Sequence, residues 1–122
     1  MDNNRFINKL IAGTKSSQLK WERVDSKKLS STYPLFYFQK EDKRLLLEKY
    51  TTIEYDSFGE EVKSAKCLLS ICDNNFNKLT EIYEDDLRRS GDLWRLYRIV
   101  ERQVNNVDDI MESFVKDIDD IF

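Results

Sequence analysis

Histidine is missing from this chain altogether, proline occurs once, and there are only three glycines and two cysteines. Each shortage removes a class of chemistry. Without imidazole there is no Ser-His-Asp or Cys-His arrangement, no imidazole general base and no His-containing metal site. Two cysteines cannot build a four-thiolate site. Gly13, Gly59 and Gly91 lie too far apart to form a phosphate-cradling loop or a dinucleotide fingerprint. No apolar run approaches the ~20 residues that span a bilayer. The opening Met1-Asp2-Asn3-Asn4-Arg5-Phe6 leads into no long apolar stretch of the signal-peptide kind. These absences predict a cytoplasmic protein without a membrane partner and without a cofactor. Cys67 and Cys72 stand five apart in a segment that reads as a strand, which sets them on opposite faces. They are badly placed to bridge each other and read as two buried thiols of a reducing compartment.

What is present is enough for a packed core. The 122 residues are 40% apolar and 12% aromatic, with seven Phe, six Tyr and two Trp, richer in large side chains than disordered chains are. One α+β domain over residues 1–122 is the expectation. The charged fraction is 35% and its signs nearly cancel to −3, which argues against a dedicated nucleic-acid binder with its basic surplus. The charge is uneven. Residues 105–122 hold six acids (Asp108, Asp109, Glu112, Asp117, Asp119, Asp120) against Lys116, and so carry −5 while the rest carries +2.

Phe6, Ile7, Leu10 and Ile11 recur at helical spacing, predicting a helix over 3–12 with Gly13 as its C-terminal cap. Gln18 to Val24 reads as a strand and Asp25 to Thr32 as a loop. Tyr33 to Gln39, Arg44 to Tyr55 and Val62 to Cys72 read as strands joined by polar turns at 40–43 and 56–60. Such short connections make an antiparallel meander. Leu79 to Tyr83 reads as a fifth strand or an extended loop. From Leu93 an apolar stripe runs through Tyr97, Val100, Val104, Val107, Met111, Phe114, Ile118 and Ile121 at steps of four and three. Asn105-Asn106 looks like a break, but the stripe keeps its phase across it, favouring one long helix, kinked if anything at the Asn pair. Twenty-nine helical residues span ~44 Å, whereas a four-stranded sheet covers ~20 Å, so part of the stripe overhangs. A second copy of the chain or a partner helix would cover it.

Three constellations could carry function. Asp56, Glu61 and Lys63, around a turn and a strand start, have the format of a Mg²⁺-dependent nuclease, in which carboxylates hold the metal and the lysine positions water. Alternating charge also lines the solvent face of many edge strands. Arg95, Arg98 and Arg102, with Arg88 and Arg89 upstream, form a helical stripe that could touch nucleic acid. They point away from the apolar seam, where any helix is polar. Asp117, Asp119 and Asp120 lack the loop glycine and spacing of an EF-hand, so no metal is expected there. The acidic end would instead attract a basic partner. Trp21 and Trp94 could line a pocket, but aromatics in such positions are usually core. Tyr33-Pro34-Leu35-Phe36-Tyr37-Phe38 carries large groups on both faces, as in a strand covered on both sides or one facing another protein.

The helix ending near Thr14, the Leu19-Lys20-Trp21-Glu22 entry and the closing run Leu93 to Val100 resemble a loose class of short bacterial and phage proteins. That resemblance implies a helix–meander–helix layout in a bacterial or phage cytoplasm, and supplies no catalytic residue. The expectation is therefore a non-enzymatic interaction protein of the immunity, antitoxin or inhibitor kind. It would bind a basic protein through Asp108, Asp109, Glu112, Asp117, Asp119, Asp120 and Phe122.

Overall fold

The computed structural model describes residues 2–24 and 33–121. The expected loop at 25–32 and the expected contact residue Phe122 lie outside the described residues. The elements run α1 (Asn3–Lys15), β1 (Glu22–Arg23), β2 (Phe36–Lys40), β3 (Lys43–Tyr55), β4 (Glu61–Asp73), β5 (Lys78–Tyr83), a 3-10 turn (Glu84–Asp86), α2 (Gly91–Val104) and α3 (Val107–Ile121). The five strands form one antiparallel meander in the order β1-β2-β3-β4-β5. The α+β layout expected of the sequence is the one adopted, with the fifth strand present.

Helix α1 starts on Asp2, whose side chain accepts from the Asn4 N–H (2.9 Å), and buries Ile7, Leu10, Ile11 and Thr14. Gly13 is not its cap. The helix continues to Lys15, and the left-handed backbone falls on Ser17, with φ +64°. A glycine is needed at position 13 for another reason. A Cβ there would lie 2.8–2.9 Å from the side chain of Leu19, which folds back over it. Gln18 and Leu19 both donate their N–H to the Gly13 carbonyl, at 3.0 Å each. They belong to the helix terminus, which is why the entry strand shrinks from the expected seven residues to Glu22–Arg23.

One face of the sheet packs against α1 and α2. Phe36, Leu47, Cys67, Leu69 and Ile82 from the strands meet Ile7 and Ile11 of α1 and Leu93, Leu96, Tyr97 and Val100 of α2. Burial of this kind contributes ~25 cal/mol for each Å² of apolar surface removed from water. The opposite face carries a smaller cluster of Val24, Leu35, Leu46 and Cys72, with Tyr37 and Phe76 packed on it. Strand β2 is thus covered on both sides. It begins at Phe36 rather than Tyr33, since Pro34 has no N–H to give and its carbonyl accepts the Tyr97 hydroxyl (2.7 Å). Cys67 and Cys72 fall in the two different clusters, both as free buried thiols.

Two elements leave this body. β2 pairs with β3 only over 43–47 and β5 pairs with β4 only over 68–72, so residues 48–55 and 61–67 continue as a two-stranded ribbon whose base, at Lys49 and Cys67, still packs on the body and whose tip stands clear of it. Its turn is set by Gly59 (φ +78°) and by Asp56, whose carboxylate accepts from the N–H groups of Phe58 (2.9 Å) and Glu60 (3.0 Å). The second departure is α3. The long-helix expectation gives way here to two helices: Asn106 adopts φ +52°, and the Ile110 N–H restarts the ladder on the Asn106 carbonyl. Asparagine tolerates this left-handed backbone better than most residues. The shared phase of the stripe did not require continuity. Its α2 half faces the core, and its α3 half serves a different surface. Among the described residues no helix is long and apolar enough to cross a membrane.

Candidate functional site

Helix α3 has no buried residue. Ile110, Met111, Phe114, Val115, Ile118 and Ile121 are 51–76% exposed. At 100° per residue they occupy one side of the helix. Asp117 borders that side on one edge, and Asp108, Glu112 and Asp119 border it on the other. Asp109 and Asp120 lie farther round, with Lys116. The structure therefore gathers the expected acids around an apolar row rather than into a compact cluster. Asp108 and Asp109 stand in the first turn, where the helix dipole favours negative charge, but the last turn contains no base to offset Asp119 and Asp120. A helix of this length ordinarily draws its stability from burying its apolar face. The only ion pair among the described residues of α3 is with α2: the Arg102 guanidinium donates twice to Asp108 (2.7 and 3.0 Å) and lies 3.4 Å from the Met111 sulfur.

The outward face of α2 is basic. Arg95, Arg98 and Arg102 are exposed, with half-buried Trp94 and Ile99 beside them, and together these side chains line a shallow groove that starts at Gly91. Trp94 also closes a ring of aromatics around a cation of the protein's own. The Lys49 ammonium sits 4.6 Å from the Tyr33 ring centre, 4.9 Å from Tyr97 and 5.6 Å from Trp94. Trp21 is core, buried against Phe38, with its indole N–H donated to the Thr14 hydroxyl (2.9 Å).

The carboxylate–lysine residues lie at the ribbon tip. Asp56 is engaged with its own turn, while Glu61 and Lys63 are exposed on β4, opposite Tyr55 and Ile53. Among the described residues no group of three or more acidic, Cys or His side chains is placed to hold a metal ion. The ribbon tip also exposes apolar side chains that the sequence reading missed, Ile53 and Tyr55 on one face and Val62 on the other. Phe58 is 88% exposed, and Ile53, Tyr55 and Val62 are also accessible.

Among the described residues buried titratable groups are few. Desolvation, aided by the nearby Glu84 carboxylate, pushes the Cys67 thiol up to about 12, so it stays protonated and is a poor nucleophile. Burial likewise raises Cys72. Burial, with Glu101 nearby, raises the Tyr97 phenol. Comparison with protein-family models, curated proteins and solved structures finds no match for this chain.

Proposed function

We propose that this protein works by binding another protein, a cationic one, and covering its surface in the manner of an immunity, antitoxin or inhibitor protein. The observation that supports this reading is α3, a helix with an apolar row, acid-lined edges and no buried residue. Surfaces of this composition are costly to leave in water and are typical of association sites. The excess acid adds a field that speeds encounter with a basic partner and disfavours acidic ones. Recognition would follow the helix-in-groove mode, with the apolar row supplying affinity and the acids selecting the partner. No catalytic residue and no cofactor are needed for it.

A defined probe tests the reading directly. A fluorescent amphipathic peptide of leucine and lysine is titrated with the full chain and with Phe114→Glu and Ile118→Glu variants. Saturable binding by the native chain, weakened by salt and reduced at least tenfold in either variant, is the expected result. Equal binding by all three proteins refutes α3 as the contact. A capture experiment from source lysate, with the same variants as controls, then asks whether the retained protein is basic.

A further inference from the structure

We propose that the basic surface covered by α3 is the arginine face of α2 in a second copy of this chain, each copy laying its α3 along the other's α2. The inference rests on the reading of α3 as a docking helix and adds a second occupant for it, a copy of this chain, which a cationic partner would have to displace. Three properties of the two helices carry it.

The first is charge. A pairing of α3 with α3 would set acid against acid, with only Lys116 in each helix to relieve it. The α2 face offers the opposite sign. Among the described residues neither Arg95 nor Arg98 has an ion-pair partner, and Glu101 is the only acid on the exposed part of that helix. The second is length. The groove from Gly91 to Arg102 and the apolar row from Ile110 to Ile121 each run twelve residues, ~18 Å of helix. The third is the composition of the groove. Trp94 and Ile99, both half-buried, flank the arginine row on its two edges and offer apolar ground for residues such as Phe114 and Ile118. The Arg102–Asp108 pair at the elbow shows the same two chemistries meeting within one chain.

The arrangement is self-complementary. Each copy holds one acidic apolar helix and one basic groove, so a twofold axis satisfies both at once and closes the assembly at two chains. A cationic partner of α3 would then compete with this pairing.

Sedimentation equilibrium of the full chain over 1–200 µM (about one decade either side of a Kd of ~10 µM) tests it. The expected mass is twice 14.6 kDa. An Arg95→Glu, Arg98→Glu variant and a Glu112→Lys, Asp119→Lys variant should each weaken dimerisation at least tenfold. Combining all four changes should restore it, because the reversed charges again face each other. All altered positions are exposed, and circular dichroism verifies that the fold is kept. A native chain that is monomeric throughout overturns the pairing, as does a dimer indifferent to the two arginine changes or a fourfold variant that stays monomeric. A monomer that still binds the leucine–lysine peptide through Phe114 retains the proposed function and loses only the self-pairing. A monomer that binds no peptide loses both.

Discussion

Replacing Gln103 by alanine removes a tie that joins three parts of the chain. The Gln103 side-chain oxygen accepts the Trp21 N–H (2.8 Å), and its amide nitrogen donates to the carbonyls of Leu19 (2.7 Å) and Thr14 (3.2 Å). Only this orientation of the amide satisfies all three groups, since one needs an acceptor and two need donors. The end of α1 and the entry to β1 are thereby fastened to α2. Each such hydrogen bond contributes a net ~0.5–1.5 kcal/mol, and part-burial keeps water from replacing it fully, so the loss is ~2–3 kcal/mol. That is a large share of a typical domain stability of ~5–15 kcal/mol. Urea unfolding followed by tryptophan fluorescence measures it, with Trp21 itself in the affected region. A Gln103→Glu variant sharpens the test. It keeps the acceptor for Trp21 but sets a carboxylate against two carbonyl oxygens, so at neutral pH it should be less stable than the alanine variant. Those carbonyls raise the carboxyl pKa in the folded state, so acidification should return part of the loss as the protonated acid regains a donor. A Gln103→Ala protein within ~0.5 kcal/mol of native, the range of neutral surface changes, would refute the reasoning.

Truncation after Asn105 deletes α3, which buries nothing in the core, so thermal unfolding of the shortened chain should stay within ~0.5 kcal/mol of native at protein concentrations too low for self-pairing. A larger loss would mean that α3 supports the fold. Trp21→Phe leaves the Thr14 hydroxyl without its indole donor while keeping most of the ring burial, and should cost ~1 kcal/mol by urea titration. The Cys67 thiol ionises near 9 when unfolded and is pushed up to about 12 by burial, so the folded chain holds its proton longer. Its contribution is complete below pH 9 and is lost as pH rises toward 12; Cys67→Ala should flatten the fall of unfolding free energy across that window, and an unchanged slope would count against the assignment.

The parts of this structure legible in the sequence are those written as periods. The α2 seam, the three central strands and the polar turns between them each repeat a pattern locally, so the meander and the helix above it could be read directly. That part of the apolar stripe stays off the sheet was also expected, though from a single long helix that the structure divides in two. What escaped depends on partners distant in the chain. Gln103 is one polar residue at the edge of a regular seam, and its bonds reach residues 82–89 positions away. Lys49 reads as a polar break in a strand until Tyr33, Trp94 and Tyr97 close around it. Gly13 carries the signature of a cap, and only the return of Leu19 reveals a close approach instead. At the site, the acids and the apolar row were both legible, and the Asn105-Asn106 pair marked a break without deciding between one kinked helix and two. An unbroken phase looks the same whether one helix or two bear it, and the left-handed backbone at Asn106 decides the matter.

The uneven lengths of the strands also divide the sheet by depth of protection. β3 and β4 remain paired to each other for thirteen residues, but only 43–47 and 68–72 are flanked by further strands. Amides around Leu47 and Leu69, fully enclosed, should exchange with deuterium only when the whole molecule opens. Those near Ile53 and Val62 belong to the same ladder yet need only the ribbon to fray. One continuous hairpin would thus span the range from global to local opening, with its tip free to adapt to whatever it meets while its base stays locked.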